Sequence, residues 1–331
     1  MSVSRIAAAA AFARVPILAM AALFALDGVA TPTPANARKS PLRIASWHYQ
    51  LQNIDIVVLS QTDTDLLVID YAETPVDGPM VPFTKSEIER LKTKPDGGRR
   101  IVLAYFSIGE AERYRYYWKP EYSIARPAWL VGANNNWPGN YRVRYWMDEW
   151  IEIIVRGQGS YLNRILDAGF DGVYLDGLGK YAGLTAERPD AGQAMMTLVK
   201  EIADTARKRN SDCIVVAQNA EELLQDAEYR ATIDAIAKED YLYGDDGDGR
   251  RNSDENVRSS RENLKLIQSE GKMVLVAEYL TDPVKQSIAR AEIERDGFFP
   301  IFVRRELDAT PLQPPKSASE AMAGEALRER K

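Results

Sequence analysis

The stretch AGFDGVYLDGL, residues 168–178, sets an apolar run between two aspartates, Asp171 and Asp176, each followed by a glycine. A short continuous apolar run bounded by turn residues is the mark of a strand buried on both faces. A carboxylate at the end of such a strand can cap a helix, form a turn or do chemistry. Which of these applies depends on whether the pattern recurs.

It does recur. RIASWHYQ ends near Gln50, DLLVIDYAE reaches Asp70, and RRIVLAYFSIGEAE reaches Glu110. After DGVYLD and Asp176 come CIVVAQN, reaching Asn219, then DAIAKEDYLY with Glu239, KMVLVAEYL with Glu278, and GFFPIFV ending at Val303. Helical signatures lie between these runs. Thr84 and Glu87 have capping-box spacing. GQAMMTLVKEIADTARKRN carries apolar residues at helical intervals. DENVRSSRENLKLIQSEG closes on Gly271, and Asp282-Pro283 fits an N-cap followed by a first-turn proline. Eight alternating units predict a (β/α)8 barrel of the TIM type. The competing open dinucleotide-binding sheet wants a glycine-rich turn after its first strand, and WHYQLQNID has no glycine.

The remaining composition narrows the function. The chain has 331 residues, 45% hydrophobic and 27% charged, with a formal net charge of −6. That balance suits a globular core and argues against a nucleic-acid partner. Arg5 and Arg14 precede an apolar run from Val15 to Leu26, and Ala35-Asn36-Ala37 supplies an A-x-A site. Residues 1–37 therefore read as a signal peptide, residues 38–308 as the barrel, and residues 309–331 as a loose proline- and alanine-rich tail. The expected location is secreted or periplasmic, with no membrane span after signal cleavage. Cys213 is the sole cysteine and opens an apolar run, so it reads as a buried strand thiol.

In a barrel the chemistry sits at the C-terminal strand ends, where this chain places Asp70, Glu110, Asp176, Glu239 and Glu278. The one histidine, His48, and the lack of a G-x-S-x-G elbow exclude a serine triad. Histidine-rich metal chemistry is excluded by count, and no Walker A motif is present. YGDDGDGRRNSDEN, residues 243–256, lacks calcium-loop ligand spacing and reads as a solvated loop. Carboxylates remain, and two of them flanking one bond are the machinery of glycoside hydrolysis. No cofactor and no metal are expected. Residues 113–150 hold five of the six tryptophans and six of the sixteen tyrosines. These aromatics either stack on sugars or form a small core that folds the segment onto the barrel.

The set LAYFSIGEAERYRYYW, YRVRYWMDEW, AGFDGVYLDGL, VVAQNAEEL, KEDYLYG, LVAEYLTD and RREL resembles glycoside hydrolase family 114, across roughly Leu42 to Asp308. That family includes endo-α-1,4-polygalactosaminidases and bacterial and archaeal relatives. The resemblance implies a TIM-type barrel, a galactosamine-containing polysaccharide as substrate, and Asp176 and Glu239 as the catalytic pair. It implies that Glu110 and Glu112 line the cleft and that Asp70, Asn219 and Glu278 orient substrate, with Trp47, Tyr105 and Tyr279 in the same binding set. A non-catalytic polysaccharide-binding barrel is the alternative, as is a glycosidase for another amino-sugar polymer. Glu239 should face the barrel mouth, with Asp240 taking its place if Glu239 points into the helices. The acid-rich strand ends should also give the cleft a negative potential suited to a cationic polymer.

Overall fold

A computed structural model describes residues 41–73 and 80–308. The signal peptide, its Ala35–Ala37 site and the C-terminal tail lie outside the described residues.

Eight strands run parallel and pair in chain order: β1 (Trp47–Gln50), β2 (Leu66–Ile69), β3 (Ile101–Ser107), β4 (Gly172–Asp176), β5 (Ile214–Gln218), β6 (Ala235–Glu239), β7 (Met273–Glu278) and β8 (Phe299–Phe302). The two ends of the sheet meet, because the Trp47 indole donates to the Phe299 carbonyl at 3.0 Å and Leu51 N–H donates to Leu307 O at 2.8 Å. The expected (β/α)8 barrel is present.

Successive side chains of a strand alternate between the two faces of the sheet. One buried cluster gathers Tyr49, Val68, Leu103, Tyr105, Tyr174, Val216, Ala237, Leu275 and Ile301, which fill the lumen. The other gathers Leu67, Ile69, Val102, Ala104, Val173, Leu175, Val215, Ile236 and Val276, packed under the helices. Both faces are dry, which is why these strands read as continuous apolar runs.

The helices begin where the sequence says they should. Thr84 and Glu87 form a reciprocal capping box at Lys85–Leu91, and Asp282 accepts from Val284 and Lys285 N–H with Pro283 in the first turn of Pro283–Arg295. The periodic segments form Ala191–Arg209 and Asp254–Ser269. Cys213 is buried, and so is His48, which bonds Gln50 at 3.0 Å and whose pKa burial lowers to about 4.

The first aspartate of the opening stretch belongs to the foot of the barrel. Asp171 N–H donates to Val102 O, and the Asp171 carboxylate accepts Val102 N–H at 2.9 Å, so one residue closes both backbone groups of its neighbour. Asp65 does the same to Ser46, and Asp234 does the same to Val215. A cation backs each carboxylate: Lys94 at Asp65, Lys92 at Asp171 and Arg207 at Asp234, at 2.9–3.0 Å. The glycines have separate reasons. A Cβ on Gly172 would lie 2.0 Å from Ile214 O, and Gly177 has φ +81 with its carbonyl 2.1 Å from where a Gly109 Cβ would stand.

The aromatic segment after β3 carries a three-stranded antiparallel sheet, ordered Glu110–Glu112, Asn140–Val143, Leu130–Ala133. Trp129 and Trp150 are buried with ring centroids 5.0 Å apart, and the Trp150 indole donates to Ile108 O at 3.0 Å. Most of these aromatics therefore form a small core that fastens the insertion to β3. Trp137, at 51% exposure, remains open to solvent.

Asp234→Ala strips Val215 N–H of its acceptor and leaves Arg207 unpaired in a buried position. It is expected to lower unfolding free energy by about 3 kcal/mol, measured by urea denaturation. A loss below about 0.5 kcal/mol, the scatter of ordinary surface changes, would remove the structural role assigned to these aspartates.

Candidate functional site

The strand alternation that fills the lumen continues to the mouth, where it turns polar. Asp176 ends β4 two residues after lumen-facing Tyr174, and Glu239 ends β6 two residues after lumen-facing Ala237. Glu239 thus faces the mouth and Asp240 does not replace it. Asp240 turns away with φ +52 and forms an ion pair with Arg305.

Each carboxylate of the pair is held by neutral donors. The Tyr105 hydroxyl donates to Asp176 Oδ2 at 2.6 Å. The Tyr279 hydroxyl donates to Glu239 Oε1, and the Asn219 amide donates to Glu239 Oε2 at 2.9 Å. Asn219 Oδ1 also accepts Glu239 N–H at 2.9 Å, so one side chain aligns both the backbone and the carboxylate of Glu239. Asn219 and Ala220 both take left-handed φ, +60 and +54, an uncommon conformation in which asparagine is the better tolerated residue. Burial pushes the Asp176 pKa up to about 6, the Glu239 charge adds to the rise, and the Tyr105 hydroxyl opposes it. Tyr105 and Tyr279 are raised well above the phenol range, mainly by burial, and so remain neutral donors. Beneath the pair, the Tyr49 and Tyr174 rings lie 5.1 Å apart, and the Tyr49 hydroxyl approaches Gln218 at 3.5 Å.

The other acids are committed to different partners. Asp70 meets Arg115 at 2.7 Å, and Glu112 meets the same guanidinium at 2.6 Å while accepting from the Tyr114 hydroxyl. Burial raises the Asp70 pKa against the pull of Arg115. Glu110 accepts from Asn134 at 2.8 Å and Asn140 at 3.4 Å, with Lys180 at 3.4 Å. The cations missing from the strand segments are thus delivered by loops. Among the described residues, Asp176 and Glu239 are the acids of the expected set that face the lumen without an ion pair.

Two members of the set lie elsewhere. Trp47 is the first residue of β1, so it plugs the foot of the barrel beside Phe299. Glu278 falls on the outward face of β7 between lumen-facing Ala277 and Tyr279. It is fully buried, accepts Leu242 N–H at 2.6 Å, and leaves Oε2 without a partner. Both placements follow from period-two alternation, which a count along the strand would have found. Arg115 and Arg305 had no such signal, since they sit on loops that reach the strand ends only in three dimensions.

The site is thus a TIM-type barrel mouth built around two unpaired carboxylates on β4 and β6. The family model for glycoside-hydrolase family GH114 matches residues 29–319, and the chain belongs to that family. It is 32% identical to an uncharacterized protein of Thermotoga maritima over 292 residues, covering 82% of this chain and 86% of that one. In fold it is similar to Aspergillus fumigatus Ega3 in complex with galactosamine, with TM-score 0.61, 18% identity, and 83% and 97% of the two chains covered. It is also similar to the glycoside hydrolase domain of Pseudomonas aeruginosa PelA, with TM-score 0.63, 16% identity, and coverage of 82% and 98%.

Glu278 supplies a test of this geometry that is independent of activity. Burial holds its pKa up at about 8, above the ordinary glutamate value. A raised carboxyl means the folded state binds the proton more tightly than the unfolded chain. The associated stability is complete below the unfolded pKa and is lost as pH rises toward 8. Glu278→Gln removes the ionisable group. It is expected to flatten the decline in Tm between pH 5 and pH 8–9 that the wild type shows. Parallel Tm curves for the two proteins across that range would contradict the placement.

Proposed function

We propose that the protein is an endo-acting hydrolase of an α-1,4-linked, galactosamine-containing exopolysaccharide, with Asp176 and Glu239 as its carboxylate pair. The observation that carries this reading is that both acids face the lumen at the barrel mouth and are held only by neutral donors. An ion pair would lock a carboxylate in its charged form. Neutral donors orient it and leave it free to exchange a proton or attack carbon.

Family membership supports glycosidic bonds as the target, and the galactosamine held by the fungal Ega3 structure supports an amino sugar. One carboxyl group protonates the leaving oxygen. The other attacks the anomeric carbon or activates water. Burial, helped by the neighbouring Glu239 charge, raises the Asp176 pKa to about 6, so Asp176 keeps a proton to give in weakly acidic solution. Tyr105, Tyr279 and Asn219 hold the pair in position. Asp70, held by Arg115 at the end of β2, orients substrate, and the Glu110–Glu112 segment shapes one wall. With Arg115, Lys180 and Arg305 balancing the other acids, recognition of a cationic amine rests on the pair itself rather than on a broad negative field. Residues 1–37 direct the chain out of the cytoplasm, and N-terminal sequencing of the mature protein should begin at Arg38.

Reducing-end release from partly deacetylated α-1,4-galactosamine polymers tests the activity. Asp176→Asn and Glu239→Gln are each expected to lower kcat by about 10²–10⁴-fold, with Tm little changed. Binding without product by the wild type would turn the reading to the non-catalytic barrel. In the active enzyme, kcat/KM should fall as pH rises through about 6, where Asp176 loses its proton. A flat profile from pH 5 to 9 would contradict Asp176 as the proton donor.

A further inference from the structure

The glycine-rich insertion YGDDGDGRRN, residues 243–252, reaches the active site through one arginine. Arg305 follows β8 and presents its guanidinium edge to Asp240, with Nη2–Oδ1 2.9 Å and Nη1–Oδ2 3.1 Å. Its other edge meets Asp248 of the insertion, with Nε–Oδ1 2.7 Å and Nη2–Oδ1 2.6 Å. Its face lies over the Tyr279 ring, 4.1 Å from the centroid. Tyr279 donates to Glu239, and Asp240 is the residue after Glu239.

The local backbone is shaped to permit this arrangement. Asp240 is left-handed at φ +52. A Cβ on Gly244 would stand 2.1 Å from Asp240 Oδ1, so only glycine lets the insertion pass over that carboxylate. Asn252 then ties the far end of the insertion back to Asp240 O at 2.7 Å. The insertion thus closes a clamp of three side chains around one guanidinium. Only arginine has the planar fork for two carboxylates and a flat face for a ring.

We propose that Arg305, seated by Asp248, is a positioning residue for the glycosidic reaction: it fixes the Tyr279 ring that aligns Glu239 and cancels the Asp240 charge next to it. This rests on the carboxylate pair assigned above. The charged groups facing Asp240 are Arg305 and Asp248 from the two loops, Glu239 and Lys238 on its own strand, and Glu278 from β7. Without Arg305, Asp240 and Asp248 would be two uncompensated negative charges near Glu239. Both charges would favour the protonated state of the pair.

Three variants separate positioning from a merely structural role. Arg305→Lys keeps the charge but loses the fork and the ring contact. It is expected to lower kcat about ten- to a hundredfold with KM within about twofold and the fold intact by circular dichroism. Arg305→Met is expected to raise the titration of the Asp176–Glu239 pair, followed by carboxyl 13C NMR. Adding Asp240→Asn to Arg305→Met should return that titration toward the wild-type value. Asp248→Asn should give a weaker form of the Arg305→Lys defect. A folded Arg305→Lys enzyme with wild-type kcat would overturn the proposal, as would a pair titration unmoved in Arg305→Met. The NMR titration needs no turnover. An inactive wild type would therefore sink the glycosidase reading, while the charge effect of Arg305 on the pair would still be read directly.

Discussion

A parallel barrel depends on register, and here register rests on a carboxylate closing the backbone of the preceding strand. Asp65, Asp171 and Asp234 each donate N–H to a neighbouring carbonyl and accept that residue's N–H on the side chain. Buried backbone groups at a sheet end would otherwise go unpaired, at a cost comparable to a lost hydrogen bond. A one-residue slip would exchange every lumen-facing side chain for a helix-facing one. It would move Asp176 and Glu239 out of the mouth and Glu278 into it.

The same three segments carry the acids at the other end. DLLVID, DGVYLD and DAIAKE each place an acid five residues after the first, giving Asp70, Asp176 and Glu239. An odd separation puts the two acids of a segment on opposite faces of the strand. The leading acid stays at the foot and binds backbone, while the trailing acid points into the lumen. The aspartates of residues 168–178 therefore serve register and chemistry respectively, and the glycines after them let neighbouring backbone pass close.

What divides the three mouth acids is the loops above them. Arg115 comes from the segment after β3 and neutralises Asp70 together with Glu112. Asp240, next to Glu239, receives Arg305 from beyond β8. Asp176 and Glu239 receive tyrosine and asparagine donors and no cation. A hydrogen bond from a neutral donor orients a carboxylate with less effect on its proton affinity than an adjacent guanidinium has. The long aromatic insertion supports the same division, since its buried tryptophans hold the Glu110–Glu112 strand and Arg115 against β3.

By itself the sequence determined the strand–helix alternation, the helix caps at Thr84 and Asp282, the buried Cys213, and the acids Asp70, Asp176, Glu239 and Glu278 at the barrel strand ends. Those are local properties, written in apolar periodicity and capping chemistry. The lumen positions of Asp176 and Glu239, and the outward turn of Glu278, were also written there as alternation along the strand. Only the tertiary structure decided that Asp70, Glu110 and Asp240 are neutralised, because Arg115, Lys180 and Arg305 reach them from segments distant in sequence. It also decided that most of the aromatic segment is a core rather than an open platform. Burial depends on what packs against a ring, and composition alone does not specify its neighbours.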